Sequence, residues 1–272
     1  MAAAAIKNLG GSLRSLFGGR SKGDMLSDLV DTYVAEADSI DEEAQHPQLV
    51  EQIRLASQDT RHQEWIKRFF PVRIEPAERT RACLTLLKKM SPTMRKYQYD
   101  SNCRNRPPYQ RFLLSMILAS LVNPKDFIPN QAPDYYGMID DCFLLRFSHL
   151  VFYGFAAPPF ENEKKDEFSL WLLLSCMPAD VVPKVQHGAA AIEPIVQFMR
   201  AAPRDLVETL IVQFKRDPLG QNTSEFVNSM RSFSGSMTWQ PESSAYDLPY
   251  HDYHSTALRL GLDPNHPIDS VS

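Results

Sequence analysis

The chain lacks the signatures of the common catalytic families. No Walker loop, G-x-G-x-x-G, G-x-S-x-G or H-E-x-x-H occurs in its 272 residues, so the phosphate cradle, dinucleotide turn, nucleophile elbow and helical zinc pair of those motifs are missing. Cysteine is sparse: Cys83, Cys103, Cys142 and Cys176 form no C-x-x-C pair, and no secretory signal with a cleavage site precedes them. Reduced thiols in a cytoplasmic setting are expected. Long apolar runs are also missing. Arg146 and His149 interrupt 142–160, while 112–122 and 168–179 are short, so all three read as buried helices rather than membrane spans. No stretch alternates apolar and polar residues over more than about five positions, which excludes a convincing strand pattern. There is no internal repeat.

What remains is helical periodicity. From Asp24 the residues Met25, Leu26, Leu29, Val30, Tyr33, Val34 and Ala37 form an apolar stripe with acidic residues opposite. A second stripe, Leu49, Val50, Ile53 and Ala56, follows His46-Pro47. Trp65, Ile66, Phe69 and Phe70 cluster before the prolines at 71 and 76, which forbid continuation. Cys83, Leu86, Leu87 and Met90 predict a helix ending at Ser91-Pro92, and the polar stretch 92–111 reads as a solvated loop. Further stripes lie at Ile192–Met199, at Leu206–Phe214 and, behind an Asn222 cap with Glu225, at Phe226–Phe233. The expected fold is mainly α, a multi-helix globular bundle with an irregular C-terminal tail. Its divisions are a flexible or membrane-surface segment over 1–23, a helical domain over 24–233, and the tail over 234–272. The first segment has Ile6, Leu9, Leu13, Leu16 and Phe17 on one helical face, but the glycines at 10, 11, 18 and 19 weaken a helix.

Charge is unevenly placed along the chain. The net charge is -4, yet residues 61–111 carry 13 Lys/Arg against 4 Asp/Glu, leaving both flanks acidic. Lys67, Arg68, Arg73, Lys88, Lys89, Arg95, Lys96, Arg104, Arg106 and Arg111 are therefore the candidate polyanion contacts. Tyr97, Tyr99 and Tyr109 are interleaved with them, the composition that phosphate contact and base stacking use. His251 and His254 are spaced for a metal pair on a helix, but their proline and tyrosine neighbours favour a surface pair.

The stretch Asn123–Asp141, NPKDFIPNQAPDYYGMIDD, packs three prolines and four aspartates between two apolar segments. Asp126, Asp140 and Asp141 could offer hard oxygens to Mg²⁺ or Ca²⁺. The same residue types also build a turn, with Gly137 free to take positive φ and Asp140 or Asp141 favouring the start of the next helix. The run from Ser120 to Leu145 resembles the YkvA-like domain, a family of unassigned function whose hallmark is S-P-x-D-L-I-P-D, a Pro/Gly connector, then D-D before an apolar helix. Pro124, Asp126, Ile128, Pro129, Pro133, Gly137, Asp140 and Asp141 match. Asn123 replaces the serine, Lys125 an apolar residue and Asn130 the second acidic residue, and the connector is one residue longer. The resemblance spans about 112–150 and implies a helical hairpin; it implies no reaction.

These readings converge on a non-enzymatic helical interaction or scaffold protein. Its basic region would contact an anionic membrane surface or nucleic acid, as a cytoplasmic protein that is peripheral to a membrane if the polyanion is lipid. It could serve as a subunit of a larger assembly, such as a viral matrix, through self-association or a protein partner. The alternative is a metal-dependent hydrolase using Asp126, Asp140 and Asp141. No organic cofactor is implied.

Overall fold

The computed structural model describes residues 24–60, 63, 75–123, 127–128, 132–154, 163–182, 184–185, 188 and 192–220. The N-terminal segment, the Trp65 cluster, the Asn222-capped stripe, the C-terminal tail and the His251/His254 pair lie outside these residues.

Helix α1, Met25–Asp38, starts where Asp24 accepts a hydrogen bond from the Ser27 N–H at 3.1 Å, which satisfies one of the donors a helix start leaves open. The expected stripe turns inward through Leu26, Val30, Tyr33, Val34 and Ala37. Helix α2, Pro47–Ala56, opens with proline at its first position, where no N–H is needed, and buries Leu49, Ile53 and Ala56. Pro76 opens α3, Pro76–Lys88, in the same way.

The loop expected over 92–111 is largely helical. Helix α4, Met90–Asn102, follows α3 with Lys89 alone between them and runs through Pro92. Pro92 is its third residue, inside the first turn, so its missing N–H breaks no intrahelical bond. Met90, Met94, Tyr97 and Ser101 are buried at helical spacing; the polar residues between them form the outer face. The chain turns through Cys103–Pro107 into α5, Pro108–Leu121, which is apolar around most of its circumference and buries every residue from Phe112 to Ala119.

Helix α5 is the axis of the molecule. It packs against α4, against α6 (Ile139–Gly154), against α8 (Ile192–Ala201) and against α9 (Arg204–Arg216), while α6 also lies along α7 (Glu163–Cys176). Helix α1 bridges α4 and α9, and α3 lies between α2 and α7. A helix hydrophobic all round belongs in a protein core as readily as in a membrane, and no helix among the described residues is long and apolar enough to cross a bilayer. One core cluster runs from Leu26 to Phe214. Full burial of each of its Leu, Ile, Phe and Met side chains is worth about 1.5–3 kcal/mol. No strand is present among the described residues.

Candidate functional site

The connector between α5 and α6 ties together elements distant in sequence. The N–H of buried Ile128 donates to Asp140 Oδ2 at 3.0 Å, which draws the connector down onto the first turn of α6. The chain then reverses through Pro133–Tyr136, with the Tyr136 N–H donating to the Pro133 carbonyl at 3.1 Å. Both central residues are left-handed, Asp134 at φ 55° and Tyr135 at φ 66°, at about 1–2 kcal/mol each for L-residues. Gly137 was the residue expected to take positive φ. It sits instead inside the buried 3₁₀ turn Tyr136–Met138.

The left-handed pair has a use. Asp134 Oδ2 accepts the Gln48 N–H of α2 at 3.2 Å, and Tyr135 lies edge-on to His46 with ring centroids 5.9 Å apart. Helix α2 has no side-chain cap of its own, so the connector caps it from 86 residues away in sequence. The Tyr136 hydroxyl donates to the Cys176 carbonyl at the end of α7, at 3.2 Å. Burial, reinforced by the neighbouring Cys176, pushes that phenol far above its ordinary pKa, so it acts as a neutral donor.

Asp140 and Asp141 are fully buried in the first turn of α6, where the helix dipole favours negative charge. Successive helix residues point about 100° apart, and the two carboxylates serve different elements. Asp140 holds Ile128, while Asp141 Oδ2 accepts from the Tyr33 hydroxyl of α1 at 2.6 Å, a short buried bond between helices. Asp126, the third residue of the candidate cation site, lies outside the described residues. Among the described residues no group of three or more His, Cys, Asp or Glu is placed to hold a metal ion.

No family model, curated protein or solved structure matches this chain.

Folding redistributes the charge that the sequence segregates. Lys67, Arg68 and Arg73 lie outside the described residues. Of the other candidates, Lys88 meets Glu42 at 3.6 Å, Arg95 meets Asp38 at 3.1 Å, Arg106 meets Asp100 at 2.7 Å and Arg111 meets Glu208 at 2.9 Å. Three of these acids come from the acidic flanks. Arg111 is well covered, and it also donates to the Ser101 carbonyl at 3.3 Å, joining α5, α4 and α9. Lys89, Lys96 and Arg104 are exposed.

The interleaved tyrosines separate in the same way. Tyr97 is buried, with its hydroxyl 3.2 Å from Ser148 Oγ, and Tyr109 is half-buried with Arg200 5.5 Å from its ring centroid. Tyr99 is 73% exposed. On α4 the exposed residues Pro92, Arg95, Lys96, Tyr99 and Asn102 recur at helical spacing, with Lys89 before them and Arg104 after. Thus one basic, aromatic helix face survives from the larger block. Tyr33 and Gln48, which complete the acidic corner, carried no signal beyond a tyrosine standing within an apolar stripe.

Proposed function

We propose that the protein is a non-catalytic helical contact protein whose α4 face binds a polyanion, and that this polyanion is single-stranded nucleic acid. Tyr99 carries the reading. It is an aromatic side chain the fold leaves 73% exposed beside Arg95 and Lys96, with Lys89 and Arg104 at the two ends of the same helix. An exposed ring among cations suits base stacking with phosphate contact. The aspartates of the corner hold helices together and supply no contact surface in this reading. The hairpin of α5, connector and α6, where the YkvA-like resemblance lies, serves as scaffold.

The test is fluorescence anisotropy with a labelled oligonucleotide, beside flotation of the protein with anionic vesicles, each at 50 and 200 mM salt. Three phosphate contacts, from Lys89, Lys96 and Arg104, give a salt slope of about -2 for a single strand, so affinity should fall roughly 20-fold over that range. Flotation without oligonucleotide binding would assign the face to lipid. Retention of neither at 50 mM salt would remove the polyanion reading.

A second reading, self-association within an assembly, is favoured by Phe198 at 63% and Leu206 at 47% exposure on the consecutive helices α8 and α9. Light scattering over a concentration series tests it: a monomer at every concentration and salt would dismiss it.

A further inference from the structure

A second cluster of polar chemistry lies inside the core, between α3 and α7. Arg79 and Cys83 are one turn apart on α3, so they share a face, and α3 packs against α7. Cys176 is the last residue of α7. Both cysteines are 0% exposed, and each thiol is the group that most affects the ionisation of the other. Arg79 is 6% exposed and donates through Nη1 to the Ser175 carbonyl at 3.4 Å, while its buried Nε has no hydrogen-bond partner among the described residues. Ser175 Oγ lies 4.0 Å from Cys176 Sγ, and the Tyr136 hydroxyl holds the Cys176 carbonyl.

The surroundings make the two sulfurs unequal. The Cys83 S–H, the Arg79 charge and the Ser175 hydroxyl together outweigh burial and hold Cys176 below the ordinary thiol value. The paired Cys176, with burial, pushes Cys83 well up. Cys142 is different: its thiol meets the Leu86 carbonyl at 3.6 Å, and burial pushes it up to about 11. Thiolate character decides which cysteine attacks.

We propose that Cys83 and Cys176 form a dithiol that a hydroperoxide closes to a disulfide, joining α3 to α7. Cys176 thiolate attacks an oxygen of the peroxide; an S–O bond forms, the O–O bond breaks, and the alcohol or water leaves after taking a proton. Cys176 is thereby oxidised by two electrons to a sulfenic acid. Cys83 then attacks the Cys176 sulfur; the S–S bond forms, the S–O bond breaks and water leaves with the Cys83 proton. Two thiols and one hydroperoxide give one disulfide, one alcohol or water, and one further water. Hydrogen peroxide is small, and local opening, which costs less than global unfolding, is its route to a buried thiol. The adjacent thiol resolves the sulfenic acid before it is oxidised further.

The test uses the full reduced chain, hydrogen peroxide in slight excess, alkylation in denaturant and tryptic peptide mass spectrometry. Cleavage after Lys and Arg puts Cys83 in residues 82–88, Cys176 in 166–184 and Cys142 in 126–146. The expected product is 82–88 joined to 166–184, lighter than the two peptides by two hydrogens and lost on reduction, with Cys142 fully alkylated. Alkylated Cys83 and Cys176 at a peroxide dose that oxidises half-exposed Cys103, or a bridge to Cys142, would overturn the proposal. Division of roles is tested with dimedone, which should label Cys176 in a folded Cys83→Ala variant and leave Cys83 unlabelled in Cys176→Ala; the reverse pattern would overturn it. The wild-type cross-link needs neither variant to fold.

Discussion

His149 makes the protein's stability depend on pH in a defined window. It sits on α6, half-buried, stacked on Tyr97 with ring centroids 6.1 Å apart. Burial first, then the charges of Lys96 and Arg146, lower its pKa from 6.5 to about 4. The folded state therefore binds its proton less readily than the unfolded state does. Its contribution is complete above about pH 6.5 and is lost as the pH falls through about 4, the direction linkage requires for a depressed group. The full difference corresponds to about 3 kcal/mol at about 1.4 kcal/mol per pH unit. The imidazole is only half-buried, so screening by solvent reduces the expected loss to about 2 kcal/mol. Urea unfolding at pH 7, 6, 5 and 4 measures it, with His149→Gln as the reference because carboxylates titrate in the lower part of the same range. A loss of about 2 kcal/mol moves the midpoint by about 1 M at an m-value near 2 kcal/mol/M. The wild-type curve should therefore fall toward the variant's as the pH drops. Parallel curves, or an imidazole titrating near 6.5 by NMR, would refute the burial argument.

Four further substitutions, at three positions, probe the corner and the α4 face. Tyr33→Phe removes the donor to Asp141 and should cost about 1–3 kcal/mol in urea unfolding, the range for leaving a buried polar group unsatisfied. Asp134→Ala removes the α2 cap and places alanine in a left-handed position, for a loss of about 1–2 kcal/mol. Asp134→Gly loses the same cap but tolerates the backbone, so it should cost less than the alanine variant in the same assay. Tyr99→Ala, at an exposed site, should leave the unfolding midpoint within about 0.5 kcal/mol of wild type. If the ring stacks on a base, the same variant weakens oligonucleotide binding by about 1–3 kcal/mol in anisotropy.

The long amphipathic stripes were legible in the sequence because burial leaves a periodic trace. Leu26, Val30, Tyr33, Val34 and Ala37 point inward as their spacing requires. Helix α4 was hidden by Pro92, whose effect depends on position: fatal in a helix interior, harmless in a first turn. The periodic burial of Met90, Met94, Tyr97 and Ser101 outweighs the polar composition of the same stretch. The charge blocks misled differently. Net charge along a sequence says nothing of which carboxylate lies beside which guanidinium, and folding brings Asp38, Glu42 and Glu208 from the acidic flanks onto Arg95, Lys88 and Arg111. At the corner, turn-forming composition announced a turn, but left-handed φ fell on Asp134 and Tyr135 instead of Gly137. Only the position of α2 explains why. The link from Tyr33 to Asp141 joins residues 108 apart, and no local pattern encodes a contact of that range.

The role of the acidic corner is tested most directly by unfolding wild type and Asp140→Ala in urea, each with chelator and with millimolar Mg²⁺, Mn²⁺ or Ca²⁺. A structural corner predicts that the variant, left with the Ile128 N–H unsatisfied in the core, loses about 1–3 kcal/mol, and that no cation moves either midpoint. A midpoint that rises with one cation in the wild type and stays fixed in Asp140→Ala would contradict it, because a ligand that binds only the folded state must stabilise that state.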